Sequence, residues 1–140
     1  MKELKDIVCS LELAKELKEN GFKQESLFKW CEWDKTDEFY DNEKNRVFSQ
    51  EQWENYATDY NPPNSVFYSS PTATELLNEL PEVVVVENKV HSFWCNKIDG
   101  LYRCGYDENC YEEYGFQEDE NSMANAMAKL YLELKKEGLL

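Results

Sequence analysis

Apolar residues recur every three or four positions in three stretches of the chain, which predicts three amphipathic helices. They cover residues 11–20, 72–80 and 122–137. Ser10 is suited to cap the first helix, and Gly21 is suited to end it. The apolar stripes that we expect to be buried are formed by Leu13, Leu17, Leu76, Leu77, Leu80, Met123, Met127, Leu130 and Leu134.

Capping boxes mark two helix starts in the sequence. Thr72 and Glu75 stand at the spacing in which each side chain bonds the other residue's backbone N–H. Ser49 and Gln52 repeat this spacing, which predicts a further short helix in the segment "SQEQWENYATDY".

Alternating apolar residues predict the strands. "SLFKWCEW", residues 26–33, carries bulky side chains on both faces, so we expect it to be a central strand. The segment 82–98 reads as one long or broken strand with a kink or turn at Asn88-Lys89. Shorter strands are expected at residues 38–40, 65–69 and 110–116. The pattern predicts a single α+β domain over residues 1–140, a mostly antiparallel sheet with about three helices packed on it.

Asp99-Gly100 is the strongest hairpin signal in the chain. As a two-residue loop it places Cys95 opposite Cys104 and Phe93 opposite Tyr106. A second turn at residues 107–109 would place Cys110 across from Tyr106, so that three sulfur atoms would gather on one face of a meander.

These cysteines allow three interpretations. A zinc site lacks the usual Cys-x2-Cys knuckle, and His91 lies about 13 Å along the strand from Cys95. A reversible Cys95–Cys104 disulfide is sterically near, although such bridges are strained and easily reduced. We favour the third interpretation, in which cysteine serves as a small core residue and no metal or cofactor is bound. A metal- or thiol-dependent function of Cys95, Cys104 and Cys110 stays as the alternative.

The charge restricts the class of partner. The chain has 29 acidic and 15 basic residues, a net charge of −14, and no basic patch, which disfavours direct nucleic-acid binding. The N-terminus has no apolar signal-peptide region, and the longest apolar run, residues 83–86, is too short for a membrane span. We therefore expect a cytoplasmic protein with reduced thiols that binds neither membranes nor nucleic acid.

Aromatic residues in polar segments are the candidate binding residues. Tyr and Trp are enriched at binding surfaces because a rigid ring contributes contact area at low entropic cost. An alternative is that these rings cover the edges of a small core. The candidates are Trp53, Tyr56, Tyr60, Tyr111 and Tyr114. No catalytic residue is predicted.

Three segments resemble small bacteriophage and prophage-encoded proteins: "SLELAKELKENGFKQESLFKW", "SPTATELLNELPE" and "NAMAKLYLELKKEGLL". The shared features are an opening helix–Gly-Phe–strand unit, a central helix that ends at proline, and a closing Ala/Leu-rich helix. The matching positions are Leu13, Leu17, Gly21, Phe22, Trp30, Thr72, Leu76, Leu80, Pro81, Ala128 and Leu132. The resemblance implies a small accessory protein of a phage or prophage and assigns no catalytic residue.

Together these observations predict a non-enzymatic, acidic accessory protein that acts by binding another protein, for which a basic partner is one possibility. A homodimer through an exposed sheet edge or the last helix is a further possibility.

Overall fold

The computed structural model describes residues 4–33, 45–49, 51–52, 54, 65–107 and 117–140. The chain divides into two compact units, Met1–Thr72 and Ala73–Leu140. Each unit combines helix with antiparallel sheet, so the predicted α+β class is confirmed. The expectation that the whole chain is one domain stays a prediction.

The first unit contains a three-stranded antiparallel sheet. Its strands run in the order β2-β1-β3, so the strand expected to be central does lie in the middle. Its elements are a 3-10 turn at Leu4–Asp6, helix α1 at Leu11–Glu19, and strands β1 at Phe28–Trp33, β2 at Asn45–Ser49 and β3 at Ser65–Ser69.

Helix α1 begins and ends where its sequence signals lie. The Ser10 hydroxyl accepts a hydrogen bond from the Leu13 N–H at 3.3 Å, which satisfies one of the free N–H groups of the first turn. Gly21 follows the C-cap with a φ of +83°, a left-handed conformation that favours glycine. The buried side of the helix is formed by Leu11, Leu13, Ala14 and Leu17.

Strand β2 was not predicted from the sequence. It pairs antiparallel with β1, and Val47 lies opposite Trp30. The capping box that follows it is confirmed, because the Ser49 N–H donates to Gln52 Oε1 at 3.1 Å and the Gln52 N–H donates to Ser49 Oγ at 3.3 Å. The helix signal was therefore correct, whereas the strand before it depends on pairing with a distant segment.

The second unit contains a four-stranded antiparallel sheet in the order β4-β5-β6-β7. Helices α2 and α3 pack on each other, and α3 packs on β6 and β7. Its elements are helix α2 at Ala73–Glu79, strands β4 at Val83–Val86, β5 at Lys89–Ile98, β6 at Leu101–Asp107 and β7 at Gln117–Glu120, and helix α3 at Met123–Lys136.

The three helices predicted from the apolar stripes are all present. Two stripe residues differ from the expectation, because Leu77 is 43% exposed and Met123 is half-buried, whereas the other seven are buried. Leu77 directly follows the buried Leu76, so its side chain lies about 100° farther around the helix. No helix among the described residues combines the length and the apolar composition needed to cross a membrane.

Two-residue turns set the register of the second sheet. Asp99 and Gly100 have φ angles of +53° and +80°, as the predicted hairpin requires. The second turn lies at Glu87-Asn88, with φ angles of +51° and +63°, so the predicted break at 88–89 was one residue too late. The long segment therefore forms two paired strands, β4 and β5.

The partner of β6 also differs from the prediction. Gln117–Glu120 forms strand β7, with Gln117 opposite Gly105 and Glu118 opposite Cys104. The sequence predicted no strand over residues 117–120. The strands predicted at residues 38–40 and 110–116 lie outside the described residues.

Candidate binding surface on the second sheet

The four-stranded sheet has a helix side and an outer side. Side chains alternate along each strand, and the register shows which positions share a side. Positions on the helix side include Val84, His91, Phe93, Cys104 and Tyr106. All of these except Phe93 are buried, and two of them, Cys104 and Tyr106, lie on β6, which α3 contacts.

Tyr106 anchors the helix side. Its ring is fully buried and contacts the Phe93 ring edge-on at a centroid distance of 5.6 Å. The hydroxyl donates a hydrogen bond to the Pro81 carbonyl at 2.6 Å, which links β6 to the segment before β4. Burial, with a smaller effect of Cys104, raises the pKa of Tyr106 to about 12. Tyr106 is therefore a structural residue, and its buried hydroxyl stays protonated and neutral.

His91 also serves the local structure. Its side chain is 9% exposed, and Nδ1 lies 3.1 Å from the Lys89 carbonyl oxygen. His91 and Cys95 are four residues apart on one strand, a separation of about 13 Å. The histidine is thus too far from that thiol to act as its general base.

The register of the cysteine hairpin matches the prediction in full. Cys95 lies opposite Cys104, and Phe93 lies opposite Tyr106. Both cysteines are free thiols; Cys104 is buried, as expected for a core residue, but Cys95 is exposed, so that expectation was wrong for Cys95. Cys110 lies outside the described residues. Within the described ranges, no group of three or more His, Cys, Asp or Glu side chains is placed to hold a metal ion.

The outer side of the sheet carries exposed apolar side chains. Val85 lies opposite Val90, and Ile98 lies opposite Leu101, so these residues form apolar cross-strand pairs. Val83, Val85, Val90 and Ile98 are 48%, 57%, 55% and 43% exposed, and Trp94 and Leu101 are half-buried. We call these six positions the outer apolar face; Ser92, Asn96 and Arg103 lie on the same side of the sheet between them. Apolar side chains grouped in this way are typical of a surface that binds a partner.

Sequence reasoning placed the binding residues elsewhere. Its aromatic candidates, Trp53, Tyr56, Tyr60, Tyr111 and Tyr114, all lie outside the described residues. The valine run at 83–86 was predicted to be part of a strand and too short for a membrane span, but it was not considered as a binding surface. The available signal was the position of that run beside a two-residue turn, which makes it one arm of a hairpin.

Comparisons with known proteins add no relative. No protein-family model matches the chain, and neither a curated protein nor a solved structure matches it significantly.

Proposed function

We propose that the chain is a non-enzymatic accessory protein that binds a basic partner protein through the outer apolar face. The observation that carries this proposal is the group of four apolar side chains, each more than two-fifths exposed, on one side of one sheet. When a partner covers these valine and isoleucine side chains, each Å² of apolar surface removed from water contributes about 25 cal/mol of favourable free energy.

Charge supports a basic partner. The chain has a net charge of −14, and the exposed residues Glu82, Glu87 and Asp99 lie at the ends of the strands that carry the outer apolar face. By the alternation of the strands, Lys89, Lys97 and Glu82 belong to the helix side of the sheet, whereas Arg103 and Asp107 lie on the outer side. A partner with lysine or arginine around an apolar centre would therefore meet complementary charge, which speeds association and favours that partner over acidic ones.

The accessory role in a phage or prophage rests on the sequence resemblance alone. A cytoplasmic location is a separate expectation from the apolar pattern of the sequence. Both stay predictions, and neither is needed for the binding proposal.

A thiol-dependent function is the second candidate, because Cys95 and Cys104 lie directly opposite each other as free thiols. Oxidation would need only these two groups and an external disulfide or peroxide. The burial of Cys104 makes it the slower partner in such a reaction.

Photo-crosslinking tests the binding proposal. A benzoylphenylalanine at position 90 should form a covalent product with a basic protein in the cells that make this chain, whereas the same group at Lys136, on the exposed end of α3, should not. The crosslinked protein is then purified, and its dissociation constant for the unmodified chain is measured by calorimetry.

Two matched variants distinguish the loss of an apolar contact at the outer apolar face from the effect of an added positive charge. Val90→Lys should weaken binding of the purified partner by about tenfold or more, since a hot-spot truncation costs at least about 1–2 kcal/mol. Asn78→Lys makes the same type of residue on the exposed side of α2 and should leave binding within about twofold. Equal losses in both variants, or a crosslinked partner that is acidic, would contradict the proposal.

A further inference from the structure

We propose that the outer edge of β4, which pairs with no strand among the described residues, binds an extended segment of the partner as an added antiparallel strand. This inference rests on the proposed function, because it specifies how the partner docks beside the outer apolar face. Strand addition supplies affinity through main-chain hydrogen bonds and supplies specificity through alternate side chains.

The pattern of hydrogen bonds between β4 and β5 shows which backbone groups of β4 point away from β5. The Phe93 N–H donates to the Glu82 carbonyl at 3.0 Å, so these two residues form a bonded pair. Bonded and non-bonded pairs alternate along an antiparallel ladder. The next bonded pairs are therefore Val84 with His91 and Val86 with Lys89. It follows that the N–H and C=O groups of Val83 and Val85 point away from β5, toward the open edge.

The edge lacks the usual protection against pairing. Natural edge strands are blunted by a lysine, a proline, a bulge or an inward-pointing charge. The strand Val83–Val86 consists of four valines, and its ladder with β5 is unbroken. Val83 and Val85 are about half exposed, and Val84 is buried on the helix side. The edge is thus a regular, apolar template for one more strand.

The size and charge of the edge favour a peptide segment over a second copy of the chain. A stable dimer buries about 800 Å² on each subunit, which pairing of one four-residue strand does not supply. Two chains of charge −14 would also repel each other, with Glu82 and Glu87 of both copies near one short ladder. A basic segment removes this repulsion.

The geometry also sets the pattern of the added strand. Residues opposite Val83 and Val85 share their side of the sheet and direct their N–H groups at the edge. These residues should be apolar, because they extend the outer apolar face. The alternate residues lie on the helix side, where the strand alternation also places Glu82, and should be lysine or arginine.

An octapeptide of alternating Lys and Val, labelled with fluorescein, is the probe. Fluorescence anisotropy should show saturable binding to the full chain, and a peptide of alternating Glu and Val should bind about tenfold more weakly or not at all, because its charge repels the acidic chain. Absence of binding by the Lys–Val peptide would overturn the inference.

Methylation of the peptide backbone tests the hydrogen bonds without altering the protein. N-methylation of the valine amides should weaken binding by roughly 10- to 100-fold, because about two inter-strand hydrogen bonds are lost. N-methylation of the lysine amides is the matched control and should change binding by less than about threefold, since those N–H groups point to solvent. Equal effects of the two modifications would overturn the inference.

A protein variant gives the reciprocal test. Val85→Pro removes an N–H that points outward, so the ladder to β5 keeps its bonds. It should abolish binding of the Lys–Val peptide, whereas Val85→Thr keeps the N–H and the branched side chain and should bind within about threefold. Circular dichroism checks that both variants fold. If Val85→Pro does not fold, the N-methyl peptides test the inter-strand hydrogen bonds instead.

The two proposals fail in distinguishable ways. Loss of partner binding in Val90→Lys but not in Val85→Pro would overturn the edge inference and leave the outer apolar face as the docking site. Loss in neither variant would overturn both. In amide exchange, the N–H groups of Val83 and Val85 should become protected only when peptide is added. Protection in the protein alone, together with a dimeric mass in solution, would overturn the inference in favour of a second copy.

Discussion

Cys95 and Cys104 lie directly opposite each other on the same side of the second sheet, yet Cys104 is fully buried and Cys95 is exposed. The difference arises above the sheet, because α3 packs on β6 and β7 and thereby covers the β6 cysteine. One thiol of this cross-strand pair therefore lies in the core, and the other is exposed to solvent. The two thiols should differ in reactivity for this reason, since only an accessible thiolate is a nucleophile.

Alkylation of the folded protein should distinguish these cysteines. Iodoacetamide under native conditions should modify Cys95 at least about tenfold faster than Cys9, Cys31 and Cys104, which are buried and react only after local or global opening. Peptide mass spectrometry at several times measures the rates, and the same reaction in urea provides the control. Modification of Cys104 at the rate of Cys95 would contradict the burial described for β6.

Tyr106→Phe tests the bond between the Tyr106 hydroxyl and the Pro81 carbonyl. The substitution keeps the buried ring and removes a 2.6 Å hydrogen bond, so the free energy of unfolding should fall by about 1 kcal/mol. Urea unfolding followed by fluorescence measures the loss. Tyr102→Phe is the matched control: its hydroxyl accepts a 3.4 Å hydrogen bond from Lys97 at an exposed site, and the free energy of unfolding should fall by no more than about 0.5 kcal/mol. An equal loss of unfolding free energy in both variants would show that the hydrogen bond from Tyr106 to Pro81 does not stabilise the fold.

Cys31 should make stability depend on alkaline pH. Burial raises the pKa of this thiol from 9.0 to about 12 in the folded chain. The unfolded chain therefore loses the proton first, so the stabilisation is complete below pH 9 and is lost as pH rises toward 12. Between pH 8 and 10.5 this thiol should lower the free energy of unfolding by about 2 kcal/mol.

Urea unfolding of Cys31→Ala at these two pH values checks the effect. The variant should lose about 2 kcal/mol less than the unsubstituted chain over this interval, whatever its stability at pH 8. Cys95→Ala, which removes an exposed thiol, should show the same loss as the unsubstituted chain. An equal pH dependence in Cys31→Ala would contradict the burial of Cys31.

Glu87→Asn should stabilise the second unit. Glu87 has a φ of +51° in the turn between β4 and β5, a conformation that asparagine and glycine adopt at lower cost. Relief of this strain should raise the free energy of unfolding by about 0.5–1 kcal/mol, measured by urea or thermal unfolding. Glu87→Gln removes the same charge but keeps the unfavourable conformation, so it should leave stability nearly unchanged. A gain in Glu87→Gln as large as in Glu87→Asn would mean that charge, and not backbone strain, is the cause.

Local signals in the sequence were sufficient for much of the fold. Ser10 caps α1, Ser49 and Gln52 form their capping box, and Asp99-Gly100 turns the chain so that Cys95 meets Cys104. Each of these features depends on residues within a few positions of each other, and a two-residue loop fixes the register of both strands that it joins.

The elements that the sequence did not reveal depend on distant partners. Strand β2 has only two buried apolar residues, Val47 and Phe48, and strand β7 is the polar stretch Gln117–Glu120. Neither stretch has a period that identifies a strand, and both become strands by completing the hydrogen bonds of a neighbour, β1 or β6. The aromatic candidates for binding were chosen by composition, which carries no information about which surface is open.

The amino-acid sequence by itself determined the helix starts, the Asp99-Gly100 turn and the pairing across it, because these features follow from local backbone preferences. Only the tertiary structure decided which sides of the strands face solvent. Val84 and Val85 are chemically identical neighbours, but one is 5% exposed and the other is 57% exposed. Their difference comes from the register with β5 and from the helices on one side of the sheet, and the candidate binding surface exists for that reason.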